Sequence, residues 1–176
     1  YGKDGDCEIK LGVALQGLPR DRYVLAGKTK LRDKEGCRVE LERSLQRLKT
    51  DRFDLYQLHH LVQPADVKKA LGPDGAMETI LKAKQEGKVR AIGFSAHTTK
   101  AALEAMRGFN FDTVMFPISF AEYYARGFGQ EVLALAKEKG AAVISIKTLH
   151  AGAWPPGVER TRKWWYRPLE DQEDIN

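Results

Sequence analysis

The chain has 176 residues and a mass of 19.8 kDa, and 29 Lys and Arg against 24 Asp and Glu give a net charge of +5. Charged residues make up 30%, hydrophobic residues 43%, and mean hydropathy is −0.45, which excludes a disordered, collagen-like or coiled-coil chain. No apolar run approaches the ~20 residues of a membrane-spanning helix, and two cysteines are too few for a disulfide framework.

The basic residues are distributed along the chain rather than concentrated. Acidic residues interleave with them, and no dense Lys/Arg run lies beside aromatic residues. This pattern is typical of a solvated surface of mixed charge, so we expect neither nucleic acid nor a membrane as a partner. A modest positive field would suit an anionic cofactor such as a dinucleotide. The charged first ten residues lack an apolar segment, and we expect a cytoplasmic protein with reduced cysteines.

Short apolar runs alternate with amphipathic segments from the first residues to about residue 147. In the second helical segment Leu41, Leu45 and Leu48 are spaced by four and three residues, which places them on one helix face. Such alternation predicts parallel βα units. In chain order the predicted elements are helix 7–15, strand 23–26, helix 37–49, strand 53–58, helix 76–86, strand 89–95, helix 98–107, strand 112–117, helix 130–139 and strand 142–147.

Two folds fit this alternation, a doubly wound sheet and part of a (β/α)₈ barrel. The strands begin about 30 residues apart, and eight such units give the ~250 residues of a complete barrel. The barrel interpretation makes this α/β chain strands 3 to 7 of eight. We therefore expect residues 1–176 to form a single incomplete barrel domain, with 150–168 as a long polar and aromatic loop within it. The chain opens on Tyr and ends at DQEDIN without a helix stop signal, as a piece of a longer protein would.

Candidate functional residues lie where the predicted strands end, because reactive groups of a parallel βα sheet lie at that edge. Lys28 follows the first strand, His59 the second, and Lys147 the last, while Ser95 ends the third. Tyr1 comes just before the first predicted helix. A tyrosine, a lysine and a histidine at adjacent strand ends would share one pocket.

This combination suits the reduction of a carbonyl by hydride, which leaves negative charge on the oxygen and requires a proton. Tyrosine has a pKa of ~10, and a nearby ammonium lowers it. A histidine in the same pocket can orient the carbonyl. Lys30 competes with Lys28 for this role, and His60 with His59. The two histidines are a weak metal site because no carboxylate or cysteine has matching spacing, and we expect no metal.

Several segments resemble the aldo-keto reductase family. YGKDGDCEIKLGVAL resembles the family segment that begins with the catalytic Tyr-Gly and runs into a Glu-x-x-Leu-Gly helix, here Glu8, Leu11 and Gly12. RDRYVLAGKTK resembles the third strand with the active-site lysine, and FDLYQLHH the fourth strand ending in the active-site histidine. GKVRAIGFSAH resembles the fifth strand. The resemblance covers essentially the whole chain, with these motifs in the family order.

The resemblance implies a (β/α)₈ barrel that binds NADP, or NAD, at its C-terminal mouth. It implies catalytic roles for Tyr1, Lys28 and His59, and an aspartate that would precede residue 1. Ser95 matches the serine that touches the nicotinamide carboxamide. Lys147, which would pair with the cofactor pyrophosphate, and Leu149 are the other expected cofactor contacts. The chain departs from the family pattern at three positions that usually contact the cofactor: Ala96 for Asn, Met115 for Gln and Ile146 for Tyr. His97 would substitute for the missing Asn.

The leading hypothesis is an NAD(P)H-dependent enzyme that reduces an aldehyde or ketone, a small-molecule carbonyl substrate, with Tyr1 as the general acid. Three alternatives stay open: a non-catalytic relative that binds the nicotinamide cofactor, an unrelated metal-dependent barrel enzyme, and an inactive fragment. The last alternative follows from an open five-stranded piece, which leaves sheet edges unpaired. The sequence specifies neither the substrate nor the oligomeric state.

Overall fold

The computed structural model describes residues 3–160, 162–164 and 166–169. Its centre is a sheet of five parallel strands in the order β1-β2-β3-β4-β5, each next to its neighbour in the chain. The strands are β1 (Ala26–Thr29), β2 (Phe53–Leu61), β3 (Val89–Ala96), β4 (Thr113–Pro117) and β5 (Ala142–Ile146). The helices of the described residues are α1 (Asp6–Ala14), α2 (Lys34–Leu48), α3 (Pro64–Leu71), α4 (Ala76–Gln85), α5 (Thr99–Gly108), α6 (Phe120–Arg126) and α7 (Gln130–Lys139).

The sheet is strongly curved. Lys28 Nζ on β1 lies 3.3 Å from Met115 Sδ on β4, although two strands separate these strands in the sheet. In a flat sheet with strands ~4.8 Å apart, the backbones of β1 and β4 would lie about 14 Å apart. Side chains that stand roughly perpendicular to such a sheet would not meet across that distance. The strands therefore bend around a concave face, as the wall of a barrel does. The predicted α/β class, the parallel order and the partial barrel are confirmed.

The two faces of the sheet have different compositions because successive side chains of a strand point to opposite faces. The convex face packs against the helices and has an apolar centre, in which every side chain is at most 1% exposed. It comprises Tyr56, Leu58, Ile92, Phe94, Val114 and Phe116. The concave face carries the polar groups. It comprises Lys28, Gln57, His59, Gly93, Ser95, Thr113 and Met115.

Helix α2 shows how local signals form an element. Asp33 caps it by accepting a hydrogen bond from Gly36 N at 2.7 Å, and Lys49 ends it with a left-handed φ of 53°. Its buried stripe includes Cys37 and the predicted leucines. Thr98 caps α5 by accepting from Ala101 N. α7 has the predicted bounds and ends at a left-handed glycine.

The first predicted strand, 23–26, is displaced to Ala26–Thr29. Arg20 forms an ion pair with Asp54 at 2.8 Å, and the same carboxylate accepts from Leu25 N at 2.8 Å. The Leu25 N–H thus bonds to a side chain, while the Leu25 carbonyl accepts from Leu55 N at 3.2 Å, and the paired residues begin at Ala26. Lys28 consequently lies within β1 instead of after it. β2 extends three residues beyond the prediction and includes His59.

Four elements were not predicted. α3 and α6 are absent from the sequence-based assignment, and the segment 150–168 begins and ends in two short antiparallel strands, β6 (His150–Ala153) and β7 (Tyr166–Pro168). No helix in the described part of the chain is long and apolar enough to span a membrane. Both cysteines are free. Cys37 is fully buried, which raises the pKa of its thiol to about 12, and Cys7 on α1 is exposed.

Candidate active site

The site is built around an irregularity near the end of β2. The pairing of β2 with β3 shifts register between Leu58 and Leu61, and His60 between them has a left-handed φ of 60°. The backbone N–H of His60 donates to the Ser95 hydroxyl of β3 at 2.9 Å. A side chain thus replaces a ladder partner at His60. His59 lies opposite Ser95, because Leu58 just before it pairs with Phe94.

His59 is a neutral imidazole. Its Nδ1 lies 2.8 Å from Ser95 Oγ. Burial lowers the His59 pKa to about 4, and the nearby positive charges of Lys28, Lys30, His60 and His97 act in the same direction. At neutral pH the ring therefore holds one proton.

Lys28 lies on the strand next to His59, on the same face of the sheet. Its ammonium donates to the Met115 sulfur, and burial lowers its pKa. Within the described ranges Lys28 forms no ion pair with a carboxylate. Lys28, Lys30 and His59 all line one cleft of about 620 Å³ between the edge of the sheet and helices α1 and α2. Of the two lysine candidates, Lys28 lies within β1, on the strand that pairs with the His59 strand, whereas Lys30 follows the end of β1.

Tyr1 lies outside the described residues. The helix that follows it, α1, is fixed by the Glu8 carboxylate, which accepts from Ser44 Oγ at 2.6 Å and pairs with Arg47 Nη1 at 3.3 Å. Gly12 lies so close to α2 that a side chain there would collide with the Arg47 carbonyl. The Glu-x-x-Leu-Gly pattern thus has a packing role, and it holds the start of α1 at the rim of the cleft.

The expected cofactor residues differ in their surroundings. Lys147 follows β5 with a left-handed φ of 56°, and its Nζ lies 3.4 Å from His97 Nδ1 and 5.9 Å from the Tyr166 ring centre. These three side chains line a cavity of about 240 Å³. Leu149 has a 72% exposed side chain, and its carbonyl accepts from Leu169 N at 2.9 Å.

Ser95 is 1% exposed and already carries two hydrogen bonds. A hydroxyl has one proton and two lone pairs, so one position remains for a third partner such as a carboxamide. Together with the ammonium of Lys147 beside a cavity, this donor set fits a nicotinamide dinucleotide. Among the described residues, no three His, Cys, Asp or Glu side chains gather in a way that would hold a metal ion.

Sequence reasoning missed two polar side chains on the concave face. Gln57 is fully buried, and neither its amide oxygen nor its amide nitrogen has a hydrogen-bond partner. The buried Thr113 hydroxyl also lacks one. Gly93 lies between them, because a side chain there would collide with Thr113 Oγ1 and approach Gln57 Cγ. An amide two residues before His59 in an apolar strand is the signal that would have identified Gln57.

Comparisons with known proteins agree with this architecture. The model of the Aldo/keto reductase family matches residues 1–167, so the chain belongs to that family. It is 29% identical over 152 residues to methylglyoxal reductase DkgB of Escherichia coli O157:H7, covering 85% of this chain and 54% of that protein. It is 27% identical to the NADH-specific methylglyoxal reductase of Escherichia coli strain K12, covering 93% of this chain and 57% of that protein.

A solved structure gives the same result for the fold. The aldo/keto reductase from Klebsiella pneumoniae in complex with NADP and acetate superposes with a TM-score of 0.65 at 28% identity, covering 81% of this chain and 48% of that one. The chain spans about half the length of the curated relatives it matches.

Proposed function

We propose that this chain contributes the lysine and histidine of an active site that reduces an aldehyde or ketone with NADPH or NADH. The proposal rests on the observation that Lys28 and His59, on adjacent parallel strands, line one cleft. Membership of the family supports the same reaction. We further propose that residues 1–176 belong to one barrel domain whose mouth lies at this edge of the sheet.

The cofactor, when bound, supplies the hydride that reaches the carbonyl carbon. We assign its carboxamide to the position left on the Ser95 hydroxyl. Its pyrophosphate is assigned to the ammonium of Lys147, with Leu149 in contact from the rim. Lys147 suits an anion because burial lowers its pKa, a cost to the charged form that an anion nearby offsets.

The proton for the carbonyl oxygen is assigned to the Tyr1 phenol. An ammonium near a phenol favours the phenolate and lowers its pKa toward neutrality. Lys28 suits this role because no carboxylate within the described ranges neutralises it. Its burial also strengthens its field at short range, because water screens it less.

His59 is assigned to orientation of the carbonyl and not to proton supply. With a pKa of about 4, the ring has no second proton to give at neutral pH. It can still donate one hydrogen bond to the carbonyl oxygen, which positions the substrate and stabilises the developing charge. The names of the relatives make methylglyoxal the first substrate to test.

The test is the oxidation of NADPH and of NADH with methylglyoxal, followed by nicotinamide absorbance. Lys28→Met should lower kcat/KM by about 10²–10⁴-fold, the range for loss of assisted acid catalysis, with cofactor affinity unchanged. Tyr1→Phe should give a similar loss.

Lys30→Met is the matched control, since Lys30 lines the same cleft, and it should keep activity within a few-fold. Equal losses in the two lysine variants, or none in Lys28→Met, would contradict the assignment. Cofactor binding without turnover in the unmodified protein would favour the non-catalytic alternative.

A further inference from the structure

The peptide that joins His59 and His60 is held from two sides. Arg32 Nη2 donates to the carbonyl of His59 at 2.8 Å and to that of His60 at 3.2 Å. On the other side, His60 N–H donates to Ser95 Oγ. Hydrogen bonds from a cation are the stronger kind, so the bulge is fixed by a clamp of two side chains, Arg32 and Ser95.

The clamp maintains a backbone conformation that is costly by itself. A non-glycine residue in the left-handed region, such as His60, costs about 1 kcal/mol or more and persists where its surroundings enforce it. A regular ladder would remove the extra residue and change which face each following side chain occupies. The clamp therefore fixes the peptide that begins at the His59 carbonyl, and with it the backbone from which the His59 ring projects.

The same hydroxyl can select which nitrogen of His59 carries the proton. A backbone N–H can only donate, so Ser95 Oγ is the acceptor for His60 and keeps its own proton. That proton is available to His59 Nδ1 at 2.8 Å. When the hydroxyl gives this proton to Nδ1, the neutral imidazole carries its ring proton on Nε2. In the other tautomer, Nδ1–H would donate to the second lone pair of Ser95 Oγ.

We propose that Ser95 and Arg32 are positioning residues that hold His59 as the Nε2–H tautomer, so that this N–H is the donor to the substrate carbonyl. The last step rests on the proposed function, whereas the tautomer does not. Groups around the ring oppose a second proton on it: the ammonium groups of Lys28 and Lys30 from the β1 region, and, once they are protonated, His60 from β2 and His97 after β3.

The direct test is NMR of the purified protein labelled with ¹⁵N-histidine. The unmodified protein should show His59 with a protonated Nε2 and an unprotonated Nδ1. In Ser95→Ala the tautomers should mix and the His59 pKa should rise, because the neutral form loses its donor at Nδ1. Ser95→Thr, which keeps the hydroxyl, should restore both signals.

Ser119→Ala is the matched control. Ser119 is as buried as Ser95 and accepts from a backbone N–H, that of Glu122. Among the described residues it forms no hydrogen bond with a histidine. This variant should lose similar stability and leave the His59 spectrum unchanged. An unchanged His59 spectrum in Ser95→Ala, or an equal change in Ser119→Ala, would overturn the proposal.

The positioning role of Arg32 is tested separately by steady-state kinetics. Arg32 has no assigned contact with the cofactor. Arg32→Gln should lower kcat for methylglyoxal about 10-fold, with the Kd of NADPH within two-fold, and Arg32→Lys should recover part of the loss. Unchanged kcat in Arg32→Gln would overturn its positioning role. Absence of turnover in the unmodified protein would defeat the proposed function, and the ¹⁵N spectra would still decide the tautomer.

Discussion

Successive residues of each strand point to opposite faces of the parallel sheet, and the two faces differ in composition and in burial. The convex face is apolar, and Phe94 is fully buried there with its ring 4.8 Å from that of Phe111. The concave face places an ammonium, an imidazole and the unpartnered polar groups of Gln57 and Thr113 at buried or half-buried positions. Stability therefore resides on the helix-packed face, and the chemistry resides on the face that tolerates unfavourable burial.

The largest expected effect comes from the convex face. Phe94→Ala should lower the free energy of unfolding by about 3–5 kcal/mol, because it removes a fully buried ring and leaves a cavity. Ile144→Ala on the concave side of β5, where the side chain is half-buried, should cost less than half as much. Urea unfolding of both variants measures the difference, and equal costs would remove the distinction between the faces.

Replacement of the buried amide on the concave face should stabilise the protein instead of destabilising it. Gln57→Leu should raise the free energy of unfolding by about 1 kcal/mol, because a buried amide without partners carries a desolvation penalty that leucine lacks. Gln46→Leu, at an exposed position, is the matched control and should be near neutral. Destabilisation by Gln57→Leu would show that the amide is bonded in solution.

The smallest expected effect is on the pH dependence of the stability, through His97, which directly follows β3. Burial lowers the pKa of His97 to about 4, and the charges of Lys147, His60, Lys28 and Lys30 contribute. Its unfolded pKa is about 6.5, so between pH 6.5 and 4 the unfolded state binds more protons and stability falls as the pH falls. His97→Asn should reduce this loss by on the order of 1 kcal/mol or less, since solvent screens the half-buried ring.

Thermal or urea unfolding at several pH values measures the His97 effect. His59 shifts in the same direction, so part of the acid loss should remain in His97→Asn. An identical pH profile for the two proteins would show that the ring protonates equally in both states.

Much of the fold was accessible from the sequence, and the omissions have identifiable reasons. The five strands were found because buried parallel strands are apolar runs. α3 was missed although Pro64 at its first turn and the Gln63–Asp66 capping box are helix signals. α6 was missed because its seven residues are too short for clear periodicity, although Ser119 caps it.

The site was less accessible, because its geometry depends on contacts distant in sequence. Strand-end position identified Lys28, His59 and Ser95 as candidates, and Lys28 and His59 line a common cleft. The bulge at His60 has no local signature such as glycine. It depends on Ser95 and Arg32, 35 and 28 residues away in sequence, which no periodicity reveals.

The contrast between the two thiols provides a chemical handle on this protein. The Cys37 thiol, on the buried face of α2 and with its pKa raised to about 12, holds almost no thiolate at neutral pH and should resist alkylating reagents in the native state. Cys7 is exposed and lines the cleft that contains Lys28. A maleimide fluorophore would consequently attach at one position, where its emission reports directly on what enters the cleft.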